Sequence, residues 1–208
     1  MGIRKMATIK KPKQSILGGL KAYKTKYILG KKTRLRSKRL SDARNDYKWQ
    51  TDHELAQLDA APIIKLAFPV YLLDYLDAVR RPGKNRYPLA IETLDAKHIG
   101  NCTCYDIDES NLEAQIGIMI GDREYWDQGY GTDAVTTLVD HIFRYTPAKR
   151  IYLKTLDWNT RAQQCFWNCG FNEYIRDFRN GHHFIFMEIN REQWQKSAEK
   201  HNDESLTN

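Results

Sequence analysis

The chain has no apolar run approaching the roughly 20 residues a helix needs to cross a bilayer, and its first 39 residues contain no Asp or Glu. The first absence argues against a helical membrane protein. The second reshapes the charge balance. The formal net charge is +7 over 208 residues, yet 14 of the 33 Lys/Arg fall in residues 1 to 39, leaving 19 basic against 26 acidic residues in the rest. A basic arm therefore precedes an acidic body. Blocks of like charge are usually solvated and flexible, and contact with RNA, a ribosome or an anionic membrane is the functional alternative. The arm also lacks the continuous apolar core of a secretory signal, so a cytoplasmic protein is expected.

Cysteine is scarce too: four residues, as Cys102-x-Cys104 and Cys165-x-x-x-Cys169. The first pair shares one face of a strand and the second one face of a helix. Neither spacing is a standard structural-zinc pattern, so reduced thiols packed as small hydrophobes are expected, with no metal. Internal repeats and long linkers are absent. A chain of this length holds one well-buried domain plus extensions. We divide it into a flexible basic extension at 1–31, a folded domain at 32–195 and a polar tail at 196–208.

Lys32 to Ser37 alternates as a short strand, Ser41-Asp42 precedes a helix towards Trp49, and Thr51-Asp52 caps the short turn His53 to Leu58. Pro69 suits the first turn of a helix with Val70, Leu73, Leu76 and Asp77 on one face. From Tyr87 the period becomes strand-like. Tyr87 to Thr93, Ile99 to Ile107 and Ala114 to Ile120 form an antiparallel meander, with an acidic turn Asp108-Glu109-Ser110-Asn111 before the last strand. Val135, Leu138, Val139, Ile142 and Phe143 then make the apolar stripe of a helix packed on a sheet. Arg150 to Leu156 is a strand. A helix follows with Ala162, Cys165, Phe166 and Cys169 inward and Gly170 as its stop. Asn180-Gly181 turns the hairpin from Asn172 to Ile189, and Trp194 anchors a short last helix.

The most informative segment is Trp126-Asp127-Gln128-Gly129-Tyr130-Gly131-Thr132-Asp133-Ala134. It joins a strand to an amphipathic helix. Two glycines at such a junction let the backbone turn tightly and aim successive N–H groups at an anion beside the helix N-terminus. A plain turn is the competing reading. Asn159 likewise reads as a helix cap, Arg161 as a surface charge, and Trp126 and Phe166 as core.

Taken together, Ala114-Gln115-Ile116-Gly117, Ile120-Gly121, Tyr125 to Ala134, Asn159-Thr160-Arg161-Ala162, Cys169-Gly170-Phe171 and Asn180-Gly181 through Met187 resemble the GNAT-type N-acetyltransferases. The branch containing the ribosomal-protein-alanine and serine N-acetyltransferases is the most similar. The resemblance covers about Lys32 to Trp194. It implies an α/β fold, a mixed central sheet with a splayed strand pair flanked by helices, and acetyl-CoA as cosubstrate. It also implies that main-chain groups of Ile118, Met119 and Ile120 meet the amide arm of coenzyme A. Trp126, Gln128, Gly129, Tyr130, Gly131 and Thr132 surround the pyrophosphate, and Asn159 and Phe166 border the pantetheine arm.

Two departures bear on catalysis. Where many members carry a tyrosine proposed to protonate the leaving thiolate, this chain has Phe166, which has no proton to give. The position of Gln115, frequently glutamate in the branch, holds an amide that is no useful base. Glu113, on the same strand face as Gln115, and His183, on the last hairpin, are the candidates for removing the ammonium proton, each against the simpler reading of a surface or strand residue. The expected activity is direct acetyl transfer from acetyl-CoA to a primary amine of a protein or peptide N-terminus. A small amine acceptor and a non-catalytic acyl-CoA-binding regulator are the alternatives, and the protein is expected to be a monomer or homodimer.

Overall fold

Leu89 and Ile91, Cys102 and Cys104, Ala114 and Ile116, Ile151 and Leu153, and Ile185, Met187 and Ile189 are buried at a spacing of two. That is the pattern of strands sharing one covered face. The computed structural model describes residues 15–22 and 26–197. Its strands are β1 (Ile28–Leu29), β2 (Thr33–Ser37), β3 (Arg86–Thr93), β4 (His98–Asp108), β5 (Glu113–Ile120), β6 (Arg150–Leu156), β7 (Asn172–Arg179) and β8 (His182–Asn190). They form one sheet in the order β1-β2-β3-β4-β5-β6-β8-β7. Every neighbouring pair is antiparallel except β5 with β6. A parallel pair needs a crossover. The helix α5 (Tyr130–Tyr145) supplies it.

Val135, Leu138, Val139, Ile142 and Phe143 of α5 are buried against the sheet. The helix α6 (Thr160–Asn168) lies on the same layer and buries Phe166. On the other face sit α2 (Ala43–Gln50), α3 (His53–Leu58) and α4 (Phe68–Arg80). A buried ionic network ties α2 to β2, β3 and β4. Arg36 donates to both oxygens of Asp42 at 2.7 Å and to Glu92 at 2.5 Å. Asp46 receives Asn101 Nδ2 at 2.8 Å, Tyr75 OH at 2.7 Å and the Lys38 ammonium at 2.5 Å. Burial, the largest influence, would raise the carboxyls of Asp42 and Glu92, but hydrogen bonds and charge from Arg36, joined by the Arg39 N–H at Asp42 and by Arg34 at Glu92, together hold both below their ordinary values.

Three features differ from the sequence reading. Within the segment read as a flexible arm, α1 (Ile16–Ala22) buries Ile16 and Leu20 completely, and β1 pairs with β2. The N–H groups of Ile16 and Leu17 donate to the Glu109 carboxylate at 2.7 and 3.0 Å, so the acidic turn between β4 and β5 caps this helix. Gly19 makes the packing possible, because a Cβ there would overlap the Tyr145 carbonyl oxygen. Packed structure therefore begins upstream of residue 32. Residues 1–14, 23–25 and 198–208, which hold the rest of the arm and most of the polar tail, lie outside the described residues.

Second, α4 turns a different face inward. Val70 and Leu73 are 49% and 69% exposed, and Tyr71 and Tyr75 are buried instead. The Tyr71 ring packs on Tyr47 and on Tyr75, and the Tyr75 hydroxyl reaches Asp46. A tyrosine with a buried carboxylate to bond outcompetes a leucine for the inward position. Third, Gln163 of α6 is buried, its amide donating to the carbonyls of Leu156 and Asp157 at 3.0 and 2.9 Å. Trp194 falls in the helical stretch 191–197 and packs on Phe143.

Candidate active site

The parallel pairing of β5 and β6 runs through Glu113–Arg150, Ala114–Ile151 and Gln115–Tyr152, and stops there. Beyond that point β5 stays on β4 as far as Gly100–Ile120, while β6 stays on β8 as far as Leu156–Phe184. The two strands splay. A cleft of about 610 Å³ is lined by Ile118, Met119 and Ile120 from β5, Gly129, Gly131 and Thr132 from the α5 junction, and Asn159, Arg161 and Phe166 from the α6 side. The end of α3 adds Leu55, Leu58 and Asp59.

At the α5 junction, Gly129 adopts φ 80°, the left-handed region glycine enters without strain, and provides no side-chain cap. The first N–H groups of α5 therefore remain open to a ligand. An acidic residue in the first turn, Asp133, could oppose an anion, but its carboxylate is turned towards β2. It accepts from the N–H groups of Lys31, Lys32 and Thr33 at 2.9, 3.0 and 2.8 Å and from the Thr33 hydroxyl at 2.7 Å. The Lys32 ammonium in turn donates to the Gln128 carbonyl at 2.9 Å, fixing the loop. Two residues of the expected cradle turn elsewhere: the Gln128 amide donates to the Glu124 carbonyl, and the Tyr130 ring packs edge-on against Tyr125 at 5.0 Å.

Trp126 donates its indole N–H to the Ile120 carbonyl at 2.6 Å, and the Arg161 guanidinium stacks 3.6 Å from the indole centre. Of the β5 main-chain groups that the resemblance assigned to the cofactor, the Ile120 carbonyl is thus already satisfied within the protein. Asn159 is a cap and a cleft residue at once, its Oδ1 accepting from Ala162 N at 3.2 Å. Phe166 is 5% exposed, borders the cleft and packs on Phe171.

Neither expected proton acceptor reaches the cleft. Glu113 sits where β5 and β6 are still paired and forms an ion pair with Arg150 at 2.7 Å, which also binds Glu188 at 2.5 Å. His183 is exposed at the start of β8, its ring 4.8 Å from Phe178. Two aspartates do border the cleft, Asp127 at the α5 junction and Asp59 at the end of α3. Asp59 is solvent-exposed at the edge of the cleft, and desolvation by the neighbouring protein pushes its carboxyl up to about 6, against the opposing pull of Lys154. No local motif marks Asp59 in the sequence; only the tertiary fold makes it distinctive. The four thiols are free, with Cys102 and Cys104 buried. Among the described residues no group of His, Cys, Asp or Glu is arranged to hold a metal.

The family model for the acetyltransferase (GNAT) domain matches residues 32–172. The chain belongs to the GNAT acetyltransferases. It is 26% identical over 148 residues to an uncharacterized N-acetyltransferase, p20, of Bacillus licheniformis, covering 69% of this chain and 82% of that one. Among solved structures it is similar to a spermidine N-acetyltransferase from Vibrio cholerae in complex with CoA and spermine. That likeness has a TM-score of 0.69 at 19% identity and covers 79% of this chain and 98% of the other. It is also similar to Mycobacterium smegmatis RimJ in complex with CoA-disulfide, with a TM-score of 0.65 at 20% identity, covering 77% and 83%. At these identities the structural likenesses establish the fold alone.

The acetyltransferase uses acetyl-CoA as cosubstrate, and its cleft fits that molecule on its own geometry. An uncapped helix N-terminus suits phosphates, and a splayed strand with unpaired main chain suits an amide-bearing arm. Among the described residues no helix is long and apolar enough to cross a membrane.

Proposed function

We propose that this acetyltransferase moves acetyl directly from acetyl-CoA to a primary amine, with a protein or peptide N-terminus as the acceptor. The observation that carries this reading is the position of Asp59. It places a carboxylate at the cleft on the side of α3, away from the α5 junction where phosphates fit. An ammonium must lose a proton before it can attack, and a carboxyl near neutrality is suited to take it. Proximity in the splay and polarisation of the thioester carbonyl supply the remainder of the barrier lowering.

Coenzyme A would lie with its phosphates at Gly129 to Thr132 and its arm between Ile118–Met119 and Asn159, with Phe166 as an apolar wall. Thiolate protonation then falls to solvent or another hydroxyl. A small polycation is the second reading, favoured by the acidic balance beyond residue 39 and by the likeness to a spermidine N-acetyltransferase. Thiol release from acetyl-CoA, followed with a panel of free-N-terminal peptides, amino-acid amides and polyamines, tests the proposal. Turnover with peptides supports it, turnover with polyamines alone favours the second reading, and tight acetyl-CoA binding without turnover on any amine would refute catalysis.

A further inference from the structure

None of the four cysteines takes part in the acetyl transfer proposed above, and they fall into two kinds. Cys102 and Cys104 of β4 are buried, and desolvation pushes both thiols up to about 12. Sealed and neutral, they are inert. Cys165 and Cys169 are half-buried, and both turn from α6 towards the first turns of α5. Cys165 lines the cleft beside Gly131, where a Cβ would lie 3.5 Å from its sulfur. The Thr132 hydroxyl donates to Cys165 Sγ at 3.6 Å, and Cys169 Sγ lies 3.5 Å from the Thr132 carbonyl oxygen. The hydroxyl of the exposed Thr136 donates to Cys169 Sγ at 3.5 Å. The pair is thus open to the cleft on one side and to solvent on the other. The two thiols also share a hydrogen bond; this first, and the Thr132 hydroxyl with it, lowers the Cys165 thiol against the opposing desolvation.

Spacing decides what such a pair can hold. Residues four apart on a helix have Cβ atoms roughly 5–6 Å apart, and the Cys169 N–H donates to the Cys165 carbonyl at 3.2 Å, so the end of α6 keeps that spacing. A direct disulfide needs Cβ atoms about 3.5–4.5 Å apart and would break this turn. Structural zinc needs a full set of four ligands, and among the described residues no third His, Cys, Asp or Glu joins the two sulfurs. A single atom inserted between the sulfurs lengthens the path by one bond and spans the gap with the helix intact. That atom must be soft, to prefer thiolate, and must offer two exchangeable positions. Trivalent arsenic carrying one organic group meets both conditions.

We propose that Cys165 and Cys169 form a two-thiol chelating site for trivalent organic arsenicals, and that its occupation excludes coenzyme A. This rests on the reading of the cleft as the cofactor site and is independent of which amine accepts the acetyl group. Binding is a ligand exchange with no oxidation or reduction. Two arsenic–sulfur bonds form, the arsenic–oxygen bonds of the arsenical break, and the two thiol protons leave with its oxygen as water. The bound arsenic sits beside Gly131 and Thr132, the walls at which the phosphates fit, so its organic group and coenzyme A compete for one space. Inhibition therefore acts against acetyl-CoA and not against the amine.

The test uses the full chain in reduced form and phenylarsine oxide as the probe. Mass spectrometry of the intact and digested protein should show one phenylarsenic group per chain, with two thiol protons lost, on the peptide that carries Cys165 and Cys169. The adduct should bind coenzyme A at least about tenfold more weakly by calorimetry, and 2,3-dimercaptopropanol should restore the affinity. Saturating coenzyme A added first should slow adduct formation. Cys165→Ser and Cys169→Ser should each bind the arsenical about 100-fold more weakly, because a single thiol loses the effective concentration of the chelate; thermal unfolding checks that both variants fold. An adduct on Cys102 or Cys104, parent affinity for the arsenical in either folded single variant, or undiminished coenzyme A affinity in the adduct would overturn the proposal. A protein that binds no coenzyme A before modification would overturn the cofactor reading instead, and the mass of the adduct would still report the dithiol site.

Discussion

Replacing Asp133 by alanine removes the acceptor for four donors at once: the N–H groups of Lys31, Lys32 and Thr33 and the Thr33 hydroxyl. The two bonds to Thr33 are partly buried and the two to the lysine N–H groups are exposed. Counting about 1 kcal/mol for each partly buried bond and about half that for each exposed one gives a loss of about 3 kcal/mol. For a domain of this size that corresponds to a fall of about 6 to 12 °C in Tm. The change also frees the turn carrying Lys32, whose ammonium holds the Gln128 carbonyl, so coenzyme A affinity should fall by about tenfold. Thermal unfolding with and without coenzyme A, together with calorimetry, reads both effects. Asp133→Asn, which keeps one acceptor oxygen, should lie between the two proteins. A Tm within about 1 °C of the parent for Asp133→Ala would refute the view that this carboxylate organises the α5 junction.

Four other outcomes are expected. Gly129→Val should weaken coenzyme A binding in a folded protein, because a β-branched residue resists φ 80° and its methyls obstruct anion approach; unchanged affinity by calorimetry would refute the cradle. Phe166→Tyr should preserve or raise turnover, since the added hydroxyl borders the cleft, and a large loss in steady-state kcat for a folded variant would count against that role. Leu20→Ala should cost about 3 kcal/mol by denaturant unfolding, because α1 belongs to the core, and deletion of residues 1–31 should act in the same direction; an unaffected truncation would contradict the packing of α1. His141 is buried and its ring is held down to about 4 by desolvation. The unfolded chain therefore takes up the proton first as pH falls, and stability, complete above about 6.5, should decline by about 3 kcal/mol towards pH 4, a slope that His141→Phe should remove.

Much of the fold is legible in the sequence because its burial is periodic. The meander, the α5 stripe and the Asn180-Gly181 hairpin follow from periods of 2 and 3.6 and from turn chemistry. The residues that escaped reading are those whose partners are distant in sequence. The helix α1 carries no acidic first turn, and its cap comes from Glu109. The inward face of α4 is set by Asp46, which no helical period can reveal. At the site, motif similarity located the cleft walls, but Gln128 and Tyr130 turn away to local partners. Strand alternation assigned Glu113 to the face of Gln115 without showing that Arg150 would hold it at the paired end of the strands. Asp59 follows a short helix of ordinary composition, and only the tertiary fold brings it to the splay.

The central claim is that acetyl-CoA occupies the splay between β5 and β6 with its phosphates at the α5 N-terminus. Amide hydrogen exchange with and without coenzyme A tests it most directly. The account predicts added protection at 116–120, 128–133 and 159–162, and none in α4 or β7. Protection confined to other segments, or none at a saturating coenzyme A concentration, would contradict it.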